Sequence, residues 1–149
     1  RTKMVITSSG RINDGGIRIP IHVDLTHVTY VRDDTDNEGN CVLFYNADLG
    51  GSPLPYMPKT TITVCIHRDD VLPVLSPDDW FKVLQIYAND ISGVTCYIRL
   101  QDIYAYLEYP ADERYPYKTV GLYGAFGGMR VTLDALPAVQ AEFARRRVS

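Results

Sequence analysis

Apolar residues at every second position, a phase slip that occurs twice, and two capped stripes at helical spacing predict an α+β fold. It is β-rich and made of two tandem pseudo-repeat units, each of several antiparallel strands closed by one helix, at about 78–91 and 133–146. The first alternating stretch runs Ile17, Ile19, Ile21, Val23 and Leu25, then slips by one residue to Val28 and Tyr30. The second runs Val94, Cys96, Ile98 and Leu100, then slips the same way to Ile103, Ala105 and Leu107. A period of two marks a strand with one buried face, and the slip marks a kink or bulge that re-aims that face. One domain over 1–149 is expected, with units at about 17–91 and 94–147.

Taken in order, Met4-Val5-Ile6 reads as a short edge strand followed by glycine-rich turns at Ser8–Gly10 and Asp14–Gly16. Pro20 interrupts the next strand; proline cannot donate to a ladder, so this strand belongs at a sheet edge or is bent there. The acidic turn Asp33–Asn40 joins Val28–Val31 to Cys41–Tyr45 as a hairpin. An inserted Gly/Pro-rich loop, 46–59, has no counterpart in the second unit. Thr60–Arg68 alternates again, with Ile62, Val64 and Ile66 on one face and Cys65 and His67 on the other.

Ser76-Pro77-Asp78-Asp79 supplies a hydroxyl cap, a proline at the first helical position and carboxylates in the first turn. Trp80, Leu84, Tyr87, Ala88 and Ile91 then fall on one helical stripe, and Ser92-Gly93 ends it. Gly121, Gly124, Gly127 and Gly128 read as a tight hairpin around Ala125-Phe126. Thr132 and Asp134 open the second helix, whose apolar stripe holds Leu136, Val139 and Phe143. Arg145-Arg146-Arg147 sits at its end, where cations complement the helix dipole.

With 149 residues, 46% of them hydrophobic, the chain can bury a core without disulfide or metal staples. Three cysteines without a C-x-x-C pair favour a reducing compartment, and a cytoplasmic location is expected. The first sixteen residues lack the apolar core of a signal peptide, and no run approaches the roughly 20 apolar residues that span a bilayer. The net charge of −3 is spread evenly along the chain, so there is no basic lobe of the kind that holds phosphate backbones.

Four motifs carry chemical readings, each beside a simpler structural one. Asp34, Asp36 and Glu38, followed by Gly39, could gather oxygens around Ca²⁺, but the twelfth position of that pattern is Tyr45 and a solvated hairpin turn explains the same residues. Cys65, His67 and Asp69, each two residues from the next, are the parts of a nucleophilic triad. Same-face neighbours along a strand stand about 6.6 Å apart, however, and a nucleophile needs its base at about 3 Å. His22 and His27 are five apart, which sends them to opposite faces of a continuous strand and argues against zinc. The glycines near 121–128 lack the lysine and hydroxyl of a phosphate loop. No cofactor is expected beyond that calcium candidate.

Eleven tyrosines are the remaining signal, and seven of them lie in the second unit. With Ile103, Ala105 and Leu107 assigned to the core, Tyr104 and Tyr106 project from the opposite face, and Tyr56 in the Pro-rich loop extends the patch. Tyrosine offers rigid contact area with a polar tip, which suits protein interfaces and base stacking alike. The leading expectation is a non-enzymatic interaction or assembly module that binds a protein partner or a second copy through this tyrosine-rich surface. The alternative is a single-stranded nucleic-acid binder in which the same rings stack bases and Arg99, Arg114, Lys118 and Arg130 track the backbone. A small enzyme using Cys65 and His67 is the third reading.

Overall fold

The computed structural model describes residues 5–12, 17–33, 40–46, 61–124 and 126–147. Two compact units divide the chain, Arg1–Ser76 and Pro77–Ser149. The first contains β1 (Val5–Ile12), β2 (Ile19–Asp24), β3 (Val28–Asp33), β4 (Asn40–Asn46) and β5 (Thr61–His67), then α1 (Arg68–Val71) and a 3-10 turn, Leu72–Val74. The second contains β6 (Phe81–Tyr87), β7 (Asp90–Ile98), β8 (Ile103–Tyr109), β9 (Thr119–Gly124) and β10 (Gly127–Thr132). A 3-10 turn, Leu133–Ala135, and α2 (Leu136–Arg146) complete it.

The β-rich α+β class is as the sequence predicts. Within each unit every ladder is antiparallel, and the strands lie in the order second, first, fifth, fourth, third: β2-β1-β5-β4-β3 and β7-β6-β10-β9-β8. The second and third strands therefore stand at opposite edges of their ladder, yet only three residues join them in one unit, Leu25–His27, and four in the other, Arg99–Asp102. Laid flat, five strands at about 4.8 Å spacing would hold those edges about 19 Å apart. A 3-10 turn rises about 2 Å per residue, so three or four residues cover about 6–8 Å. Each sheet must therefore curl until its edges approach, enclosing its apolar face.

This corner is the phase slip read from the sequence. A register irregularity follows it at once in both units, between Val28 and Tyr30 and between Ile103 and Ala105. Leu25 and Leu100, like the extra residues Thr29 and Tyr104, stand 75 positions apart. In the first corner Asp24 accepts a hydrogen bond from the Thr26 backbone N–H at 2.9 Å, which holds its carboxyl below the ordinary value of 3.8. Enclosed residues include Ile6, Ile21, Val23, Val31, Val64 and Ile66 in the first unit, and Val83, Ile98, Val120, Leu122 and Val131 in the second.

The helix expected over 78–91 is not formed. Residues 77–79 make a turn, and β6 pairs with β7 through a two-residue loop, Ala88-Asn89, that places Tyr87 opposite Asp90. Capping residues suit turns as well as helix starts, and Phe-Lys-Val-Leu-Gln-Ile-Tyr is rich in aromatic and branched residues that pack well on a pleated surface. Cross-strand partners override the helical spacing here. A closing helix does follow the fifth strand in each unit, but in the first unit it is α1, only four residues long, at Arg68–Val71. The helix expected at 133–146 is present as the 3-10 turn plus α2.

Candidate functional site

The bulge at Tyr104 decides which face of β8 carries the aromatic surface. Ile103 pairs with Gly124, but Ala105 pairs with Tyr123, so one extra residue reverses the alternation. Beyond it Tyr106 and Glu108 lie opposite Leu122 and Val120, both enclosed, while Leu107 and Tyr109 lie opposite Gly121 and Thr119 on the outer face. Leu107, assigned to the core from sequence, is 49% exposed. Tyr106 is half-buried edge-on against Phe143 of α2, with centroids 4.9 Å apart. Tyr104, the bulged residue, is 72% exposed.

On the outer face four side chains assemble. Tyr109 and Tyr123 share a hydrogen bond between hydroxyls at 2.8 Å. Arg130 on β10 lays its guanidinium 3.8 Å from the Tyr109 ring centroid and 4.4 Å from that of Tyr115, and donates to Thr119 Oγ1 at 3.1 Å. The rings are held close to the sheet because glycines lie beneath them. A Cβ on Gly121 would stand 2.6 Å from Tyr109 Cε2 and 3.1 Å from Tyr123 Cε2, and one on Gly128 would stand 3.0 Å from Tyr123 Cε1. The hydrogen bond shared with Tyr109, with desolvation second, raises the Tyr123 phenol above its ordinary 10.0.

Tyr115 reaches this cluster from the segment between β8 and β9, which Asp112 folds. Its Oδ1 accepts from the backbone N–H groups of Arg114 and Tyr115, each at 2.8 Å, and its own N–H donates to the Tyr115 carbonyl at 2.8 Å. Those donors, Tyr115 first, hold the Asp112 carboxyl below 3.8. Tyr117 donates to the Ile91 carbonyl at 3.1 Å, anchoring the same segment to β7. Beside the cluster a hollow of about 230 Å³ is lined by Glu108, Tyr109, Pro110, Lys118, Thr119 and Leu133.

α2 closes the far end of this unit. Arg146 donates to the Ile103 carbonyl at 2.6 Å and the Leu100 carbonyl at 2.8 Å, both belonging to the corner, and to Glu142 at 2.8 Å. Arg145 also pairs with Glu142. Bonds from Arg146 and then Arg145 hold the nearly buried Glu142 carboxyl below its ordinary 4.5. The terminal basic run thus serves docking as well as the helix dipole.

The other sequence candidates are dispersed. Cys65 is buried on β5, opposite Arg11, whereas His67 is exposed at the strand end and Asp69 belongs to α1. The three therefore do not share one strand face. His22 accepts or donates at 3.1 Å with Thr7 Oγ1, and His27 sits exposed in the corner. Among the described residues no group of three His, Cys, Asp or Glu could hold a metal ion. The calcium candidate Asp34, Asp36 and Glu38, and Tyr56 with its Pro-rich loop, lie outside the described residues. No helix among the described residues is long and apolar enough to cross a membrane.

Sequence reasoning counted Tyr109, Tyr115 and Tyr123 but singled out their neighbours. The usable signal was Gly121 and Gly128 within strands, since a strand glycine marks a close approach by another group. No protein-family model, curated protein or solved structure matches this chain.

Proposed function

We propose that this protein is a non-enzymatic interaction module that binds a second copy of itself or another protein through the outer face of β8–β10. The observation that supports this reading is the Tyr109–Tyr123–Tyr115–Arg130 cluster, with half-exposed Leu107 beside it. Its rings are tied to one another and to the sheet in advance, so little side-chain freedom is lost on contact. Tyrosine and arginine are also the side chains that dominate protein contacts.

Sedimentation velocity over a wide concentration series tests it. Reversible association that is lost in Leu107→Asp, with the tyrosine near-ultraviolet circular dichroism retained, supports the face as a self-contact. Strict monomers at every concentration, with no difference between the two proteins in crosslinking to cellular proteins, refute it.

The nucleic-acid alternative draws on exposed Arg114 and Lys118 beside the same rings. Arg130 is engaged between two rings, and the even charge of −3 works against phosphate. Binding of labelled single-stranded RNA or DNA that weakens steeply with salt, and is lost in Tyr109→Ala, would favour that alternative.

A further inference from the structure

We infer that the cleft between β6 and the turn preceding α2 binds a small zwitterion, a free α-amino acid with an apolar side chain. β6 spans Phe81–Tyr87, but its ladder with β10 holds only the pair Gln85 and Val131. Residues 81–84 run on past that pair while Leu133–Ala135 turns away, and a cleft of about 330 Å³ opens between them. That volume falls at the small end of ligand pockets, about 300–1,000 Å³.

Its apolar lining comes from Phe81, Val83, Leu84 and Ala135. Its polar lining is one cation, Lys82, one anion, Asp134, and two hydroxyls, Thr95 and Thr132. None of these four side chains has a hydrogen bond or ion pair among the described residues. A ligand bearing one charge of each sign and an apolar group complements every part of this lining, with its ammonium at Asp134, its carboxylate at Lys82 and the hydroxyls, and its side chain on the apolar wall. A singly charged ligand would leave one lysine or aspartate unmatched.

At the corresponding place in the first unit two side chains bond to each other. There Gly10 pairs with Ile66 as Gln85 pairs with Val131, and Ser8, two residues before Gly10, donates to Asp70 of α1 at 2.5 Å. Val83, two residues before Gln85, has no hydroxyl to offer, and Ala135 in the matching turn has no carboxylate. One unit thus bridges this position with a hydrogen bond between its own side chains, and the other leaves a lined opening.

The test is a two-dimensional amide NMR titration of the full chain with leucine and phenylalanine. Leucinamide, N-acetyl-leucine and N-acetyl-leucinamide serve as probes lacking one or both charges. The expected result is saturable shifts confined to residues 81–84, 95 and 132–135, about tenfold weaker with either singly charged probe. Lys82→Met and Asp134→Asn, both at exposed positions, should weaken leucine to a similar degree while leaving the rest of the spectrum in place. Tyr109→Ala should leave leucine binding unchanged, so this result is separable from the fate of the aromatic surface. Absence of saturable shifts with either amino acid, or equal binding of N-acetyl-leucinamide, overturns the inference.

Discussion

Replacing Gly121 by alanine tests whether the aromatic cluster is locked onto the sheet. The added Cβ would stand 2.6 Å from Tyr109 Cε2 and 3.2 Å from the Tyr123 hydroxyl, whereas carbon atoms rest at about 3.5–4.0 Å. The Tyr109 ring must therefore move by about 1 Å, and it is bonded to Tyr123 and stacked under Arg130. Overpacking of this kind costs about 1–3 kcal/mol. At roughly 2–4 °C per kcal/mol for chains of this size, Tm should fall by about 2–12 °C. Urea denaturation gives the free energy, and near-ultraviolet circular dichroism should show the tyrosines losing their fixed environment. The same substitution in a Tyr109→Ala background should cost about 1 kcal/mol less, because the obstructing ring is gone. If Gly121→Ala is neutral or stabilising, as alanine's better strand propensity alone would suggest, the rings swing freely and the reasoning fails.

Three further outcomes are expected. Gly124→Ala should destabilise more than Gly121→Ala in urea denaturation, since its Cβ would meet the Asp102 carbonyl at 2.2 Å and backbone cannot rotate away. Arg146→Met should cost about 1–2 kcal/mol by removing charged donors from two corner carbonyls, and hydrogen exchange should quicken in α2 and at Ile103. Glu142→Gln should destabilise at neutral pH. Because the folded carboxyl titrates below its ordinary 4.5, that contribution is complete above pH 4.5 and is lost as pH falls through the lower folded value, so wild-type and variant stabilities should converge in acid.

The signals legible in the residue string are local and periodic. Alternation identified most strands, because one buried face imposes a period of two wherever the chain sits in a sheet. The paired slips at Leu25 and Leu100 located both corners, since a change of phase is visible in any residue string. The closing helix at 133–146 was legible from Thr132 and Asp134 at its start and from its apolar stripe.

The rest depends on partners distant in the chain. Residues 78–91 carry helix-start chemistry and a helical stripe, yet β7 and β10 hold 81–87 as a strand, because ladder bonds and cross-strand packing outweigh weak local propensity. The slip announced a bulge without saying at which residue the alternation resumes. Its position at Tyr104 depends on the pairing with β9, and that single residue turns Tyr106 toward Phe143 and brings Leu107 and Tyr109 to the surface. Gathering Tyr109, Tyr115, Tyr123 and Arg130 takes a segment folded by Asp112 and two neighbouring strands, a convergence that no spacing along one strand encodes.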